Sequence, residues 1–100
     1  MKRLFISQPM RNKSDKEILE ERERIYLLVR SKVNEPIEVI DSFFEGAPVD
    51  AKPLWYLGES FKKLAEADIA YFANGWEYAR GCKLEHQAAI EYGIDTIMYD

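Results

Sequence analysis

The chain has 100 residues, 47% of them hydrophobic and 32% charged, the length and composition of one globular domain rather than a disordered chain. Fourteen basic against eighteen acidic residues give a net charge of −4. That excludes binding to a nucleic-acid polymer through a general positive field, while leaving room for a local basic pocket.

One cysteine, Cys82, and one histidine, His86, allow no internal disulfide and no convincing zinc set. No apolar run approaches the ~20 residues of a membrane span, and the start Met1-Lys2-Arg3 leads into too short an apolar run for a signal peptide. The expectation is a small cytoplasmic protein, one domain over residues 1–100, with no membrane or nucleic-acid partner.

In chain order, Lys2 to Ser7 encloses Leu4-Phe5-Ile6 and reads as a buried strand. Gln8-Pro9-Met10-Arg11-Asn12-Lys13 follows as a loop, with Pro9 ending strand pairing. Ser14 and Glu17 have capping-box spacing, and Ile18, Arg22, Ile25, Val29 and Val33 mark one face of a helix over Asp15–Val33. Asn34-Glu35-Pro36 breaks that helix before a second strand, Ile37–Asp41. Ser42 to Pro53 must be a loop, long enough to suggest function. Leu54, Leu57, Phe61 and Leu64 predict a second helix whose stripe faces the core, with Trp55 and Tyr56 off that stripe. Ile69–Ala73 is a third strand, and Asn74-Gly75 opens a loop. A third helix runs over Gly81–Tyr92, stopped by Gly93, before a last strand over Ile94–Tyr99.

The order β-α-β-α-β-α-β predicts a four-stranded parallel sheet, order 2-1-3-4, with helices on both faces. Ligands then sit beyond the carboxyl ends of the strands. That rule selects Ser7–Lys13, Asp41–Pro53 and Ala73–Arg80.

The richest of these is Asn74 to His86. Gly81 permits a tight entry into a helix whose free N–H groups and positive dipole end attract an anion, and Arg80 adjoins that end. Glu85, about one turn in, is expected to be stabilised as a carboxylate anion, the form a nucleophile needs. The plainer reading makes Arg80 and Glu85 a solvated surface pair and Trp76 ordinary loop packing. Ser7-Gln8-Pro9-Met10-Arg11 offers hydroxyl, amide and basic groups suited to an oxyanion or a ribose, or else is a plain connection. It lacks the glycine spacing of a P-loop or dinucleotide fingerprint, so no ATP or NAD cofactor is expected. Asp68 opens its strand at the far edge and reads as a turn or capping group. His86 points some 100° from Glu85 and reads as packed or solvent-facing. Cys82 reads as a small buried residue whose helix-start position could lower its pKa.

Three segments carry a family resemblance: Leu4-Phe5-Ile6-Ser7 with Gln8-Pro9-Met10-Arg11, Ala65 to Ala73, and Arg80 to His86. Across nearly its whole length the chain resembles the nucleoside 2-deoxyribosyltransferase superfamily, and within it a short bacterial and phage branch of unknown function (the DUF4406 type). The resemblance implies a flavodoxin-like three-layer α/β/α fold and cleavage of N-glycosidic bonds in deoxynucleosides or their 5′-monophosphates. It implies no cofactor. Glu85 occupies the position of the nucleophile, Ser60 that of the second acid, and Ser7 and Arg11 that of a phosphate-binding loop. On that reading Arg11, Ser7 and Arg80 are expected to hold the phosphate or ribose, Trp76 to stack on the base, and Gln8, Pro9, Met10, Asn74, Gly75 and Gly81 to surround the substrate. The chain departs from the superfamily's Gly-x-Gly-x-Glu pattern at Lys83, and has Ala79 where a base-holding aspartate is usual. Those departures leave a second expectation open: a non-catalytic binder of a nucleotide or nucleotide-derived signal. Neighbouring subunits close the site in the superfamily. With Trp55 and Tyr56 off the core stripe, that implies a homo-oligomer, unless both fold over the long loop.

Overall fold

The computed structural model describes residues 1–42 and 47–99. Its elements are β1 (Lys2–Ser7), α1 (Asp15–Lys32), β2 (Ile37–Val39), α2 (Pro53–Leu64), β3 (Ile69–Phe72), α3 (Arg80–Glu91) and β4 (Asp95–Met98). A single 3-10 turn, Trp76–Tyr78, lies between β3 and α3, inside what the sequence reads as loop. Part of the long Asp41–Pro53 loop, residues 43–46, lies outside the described residues.

The strands form one parallel sheet in the order β2-β1-β3-β4. Period-2 alternation divides β1 between two cores. Leu4 and Ile6 join Ile25, Val29, Ile69 and Tyr71 under α1, while Phe5 joins Leu64, Ala70, Phe72 and Ala89 on the opposite face. The result is a three-layer α/β/α fold with α1 on one face and α2 and α3 on the other.

Local chemistry sets the boundaries. The Ser14 hydroxyl accepts the Glu17 N–H at 3.1 Å and the Glu17 carboxylate accepts the Ser14 N–H at 3.2 Å, completing the capping box of α1. Gly93 takes φ +73° after α3, a left-handed conformation that favours glycine. At the amino end of the sheet, Asp68 accepts the Arg3 N–H at 2.8 Å, so it ties two strand starts together.

The second helix corrects the sequence expectation. Of its apolar stripe only Leu64 is buried; Leu57 is half-buried, Phe61 is exposed, and Leu54 is 74% exposed. The reason is placement: α2 packs chiefly on α3, and only its last turn reaches the sheet. Trp55 and Tyr56 meet edge to face at 5.1 Å and 86°.

Candidate functional site

A cavity of about 610 Å³ opens where the carboxyl ends of β1 and β2 meet the amino ends of α2 and α3. The strand and loop residues Ser7 to Met10 and Ser42 line it from one side. Lys52, Tyr56, Leu57 and Ser60 line it from α2, and Ala79 to Cys82 with Glu85 from α3.

Glu85 is the chemical centre. On α3 the buried positions are Cys82, Glu85 and Ala89, a helical row that turns toward the sheet. Ser7, last residue of β1, projects to the same face as Phe5, and its hydroxyl donates to Glu85 Oε1 at 2.6 Å. The Ser60 hydroxyl donates to the same carboxylate. Burial pushes the Glu85 carboxyl above its ordinary value, while the hydrogen bonds from Ser7 and Ser60 pull it back. The sequence expectation of a carboxylate stabilised as an anion by the helix end is thereby corrected, because desolvation is the largest influence. Cys82 is corrected in the same sense: burial raises its thiol to about 11, against a smaller lowering by the Ser7 hydroxyl.

Gln8 lines the cavity, yet its side chain is committed elsewhere. One residue beyond Ser7, it turns to the α1 face, where Nε2 donates to Glu21 Oε1 at 2.8 Å and to the Ile18 carbonyl at 3.3 Å. Its Oε1 accepts from Arg22 Nη1 at 3.1 Å, and Arg22 Nη2 donates to the Ile40 carbonyl at 3.2 Å. Arg22 thus joins the ends of β1 and β2 from within α1. Burial draws its guanidinium below its usual value, and the charge of Asp41 acts in the opposite direction.

Of the residues singled out in the sequence, the cavity brings together Ser7, Gln8, Pro9, Met10, Ser60, Arg80, Gly81 and Glu85. Arg11 is exposed and is not part of its lining. Asn74 lines a smaller cleft of about 280 Å³ on the α1 side. Gly75 takes φ +85° beside Pro9 and makes the turn into the 3-10 segment. Trp76, placed on the base by resemblance, is instead half-buried against the protein. Its ring lies 4.3 Å from His86 at 31° and 5.6 Å from Phe72. The aromatic ring that does line the cavity wall on α2 is Tyr56.

Sequence reasoning missed Ser42, Lys52, Tyr56 and Leu57. A signal existed for the first two, since both lie in the crevice segment after the second strand. Among the described residues no group of three or more His, Cys, Asp or Glu is placed to hold a metal ion, and no helix is long and apolar enough to cross a membrane.

No family model matches the chain, and no curated protein does. Among solved structures it is similar to a conserved protein from Enterococcus faecalis V583, with a TM-score of 0.69 at 13% identity. The likeness covers 98% of this chain and 62% of that one, so the chain spans under two thirds of that protein. It shows the shared α/β architecture.

Proposed function

We propose that the cavity binds a nucleoside or nucleotide and that Glu85 cleaves its N-glycosidic bond, by hydrolysis or by deoxyribosyl transfer. The observation that carries this reading is a buried carboxylate in an accessible cavity, held at 2.6 Å by Ser7 and oriented by Ser60. The Ser7 hydroxyl takes one lone pair of Oε1, leaving others on the carboxylate for a sugar carbon. Glu85 attacks C1′; the C1′–N bond breaks with its electron pair passing to the base, and a glycosyl ester forms on the carboxylate. Water or a second base then displaces the carboxylate. The family resemblance at Arg80 to His86 supports the same assignment.

A second reading, a non-catalytic binder, is favoured by a specific observation. Among the described residues Glu85 is the single carboxylate lining the cavity, so no second acid is at hand to protonate a leaving base.

The test is a panel of deoxynucleosides and their 5′-monophosphates, followed by free-base release. Wild-type protein is expected to release base at a rate that Glu85→Ala lowers by about a thousandfold or more. Because burial raises the Glu85 carboxyl, that rate should climb with pH through a midpoint above the ordinary carboxylate range. No release by wild type above that of Glu85→Ala or of buffer, with bound nucleotide recovered intact, would establish the binder instead.

A further inference from the structure

The three helices begin in different ways. The amino end of α1 carries a full capping box and two acids in its first turn, Asp15 and Glu17. The amino ends of α2 and α3 carry no side-chain cap and no acid in the first turn. Each brings a cation instead: Lys52 at the N-cap of α2 and Arg80 at the first position of α3. Both residues line the same cavity.

The two ends differ in donors. Pro53 has no N–H and the Trp55 N–H is taken by the Lys52 carbonyl at 2.9 Å, so α2 supplies chiefly its dipole and its lysine. In α3 the ladder begins with Lys83 N–H on the Ala79 carbonyl at 3.0 Å. The N–H groups of Arg80, Gly81 and Cys82 precede it, and all three residues line the cavity.

A separate observation points to a ligand in the same place. Ser42, beyond the carboxyl end of β2, is 5% exposed and lines the cavity. Its Oγ has no hydrogen-bond partner among the described residues. A buried hydroxyl left unpaired costs on the order of 1–3 kcal/mol, so its presence in a cavity wall is explained by a polar group that the cavity receives.

We infer that the cavity takes a phosphate monoester, its dianionic group met by the first-turn N–H groups of α3, the guanidinium of Arg80 and the ammonium of Lys52. Three features select a phosphate over a neutral ligand. A helix end carries about half a positive charge, the guanidinium is a fork matched to phosphate oxygens, and the lysine adds a point charge. These gather on a chain whose net charge is −4, so the attraction is local rather than general. Helical rise places Glu85 about 6 Å along the axis from Gly81, so a sugar can reach from the anion seat to the carboxylate. This deepens the proposed function and rests on it for the sugar half alone; the phosphate seat stands on the helix ends and Ser42. Of the residues the sequence reading gives to the phosphate, Arg80 keeps that role and the exposed Arg11, outside the cavity lining, does not.

The experiment is calorimetry of the whole chain with 2-deoxyribose 5-phosphate, 2-deoxyribose and inorganic phosphate, none of which has an N-glycosidic bond. The sugar phosphate is expected to bind at least about tenfold more tightly than the free sugar, and less tightly as salt rises. Arg80→Ala should weaken it about tenfold, and Lys52→Ala and Ser42→Ala several-fold, with wild-type circular dichroism throughout. Equal affinity for sugar and sugar phosphate would overturn the assignment. So would affinity unchanged in Arg80→Ala and Lys52→Ala, a loss confined to Arg11→Ala, or no binding of either phosphate at millimolar concentration. Tight sugar-phosphate binding without base release from any nucleotide would keep the anion seat and reject the cleavage reading. Base release from nucleosides with no gain from phosphate would do the reverse.

Discussion

The two faces of the sheet treat their polar groups in opposite ways. On the α1 face the buried polar side chains at the strand ends are committed to the protein: Gln8 bonds to Glu21 and Arg22, and Arg22 closes on the Ile40 carbonyl, while Lys13 pairs with Glu21 at 3.3 Å. On the α2–α3 face Ser42 has no hydrogen-bond partner among the described residues, two helices start without a side-chain cap, and Glu85 is buried against the hydroxyls of Ser7 and Ser60. Folding requires the first arrangement, because buried polar groups without partners are costly. The second is tolerated where a ligand completes it, which is how a site differs from a scaffold.

The contrast is sharpest in packing, where the largest effects are expected. Leu64→Ala should cost about 3 kcal/mol, since Leu64 is 3% exposed in the core with Phe5 and Phe72. Leu54→Ala, on the same helical stripe, should cost less than about 0.5 kcal/mol, since Leu54 is 74% exposed. Urea unfolding checks both. Equal losses would mean that α2 lies on the sheet along its whole length.

On the committed face, Arg22→Met keeps most of the side-chain bulk and deletes two donors. Gln8 Oε1 and the Ile40 carbonyl then lose a partner each, and a loss of about 2 kcal/mol is expected by thermal unfolding. For a domain of this size that lowers Tm by roughly 8–16 °C. A neutral outcome would show that the α1 face is no more rigidly specified than the cavity face.

These two expectations also mark what the sequence could reveal. Element order, strand order and the Ser14–Glu17 cap were legible, because periodicity and capping are local signals. The burial of α2 was not: spacing tells which residues share a face, and Leu54 and Phe61 do share one with Leu64, but it does not tell how far along the helix that face is covered. Gln8 was legible in part. Its position next to Ser7 on an extended segment puts it on the other side of the sheet, yet its three partners on α1 follow only from the tertiary arrangement. Trp76 and His86 stack across ten residues and two elements, with no local pattern to announce it. Ser42 and Lys52 lie in the crevice segment that topology selects, but their types alone carry no chemistry.

On the cavity face, Glu85→Gln should stabilise the protein at neutral pH. Burial raises the folded-state carboxyl above its unfolded value, so the folded state binds the proton more tightly. The stability this group contributes is present below the unfolded value and is lost as pH rises through the folded one. The neutral amide escapes that loss. Wild type and variant should therefore differ most near pH 7 and converge at pH values below the ordinary carboxylate range, as read from Tm against pH. A difference that widens on acidification would show that the Ser7 and Ser60 hydrogen bonds outweigh desolvation.

The smallest effect tests the helix starts directly. Ser14→Ala removes the hydroxyl that accepts the Glu17 N–H, and should cost about 1 kcal/mol with no change in ligand binding. Ala79 holds the equivalent position on α3 with extended backbone at φ −104° and ψ 119°, the conformation a capping residue adopts, but without a side chain to cap. Ala79→Asp supplies one. Its carboxylate would accept a first-turn N–H and meet the positive end of the dipole, adding about 0.5–1 kcal/mol of stability. The same carboxylate would occupy donors assigned here to the ligand and repel a phosphate, so sugar-phosphate affinity should fall at least about tenfold as Tm rises. Opposite movements of stability and affinity in one variant are what a helix end reserved for an anion predicts. A gain in stability with affinity unchanged would place the anion elsewhere in the cavity, and a loss of stability would show that the first turn of α3 already has its acceptors within the fold.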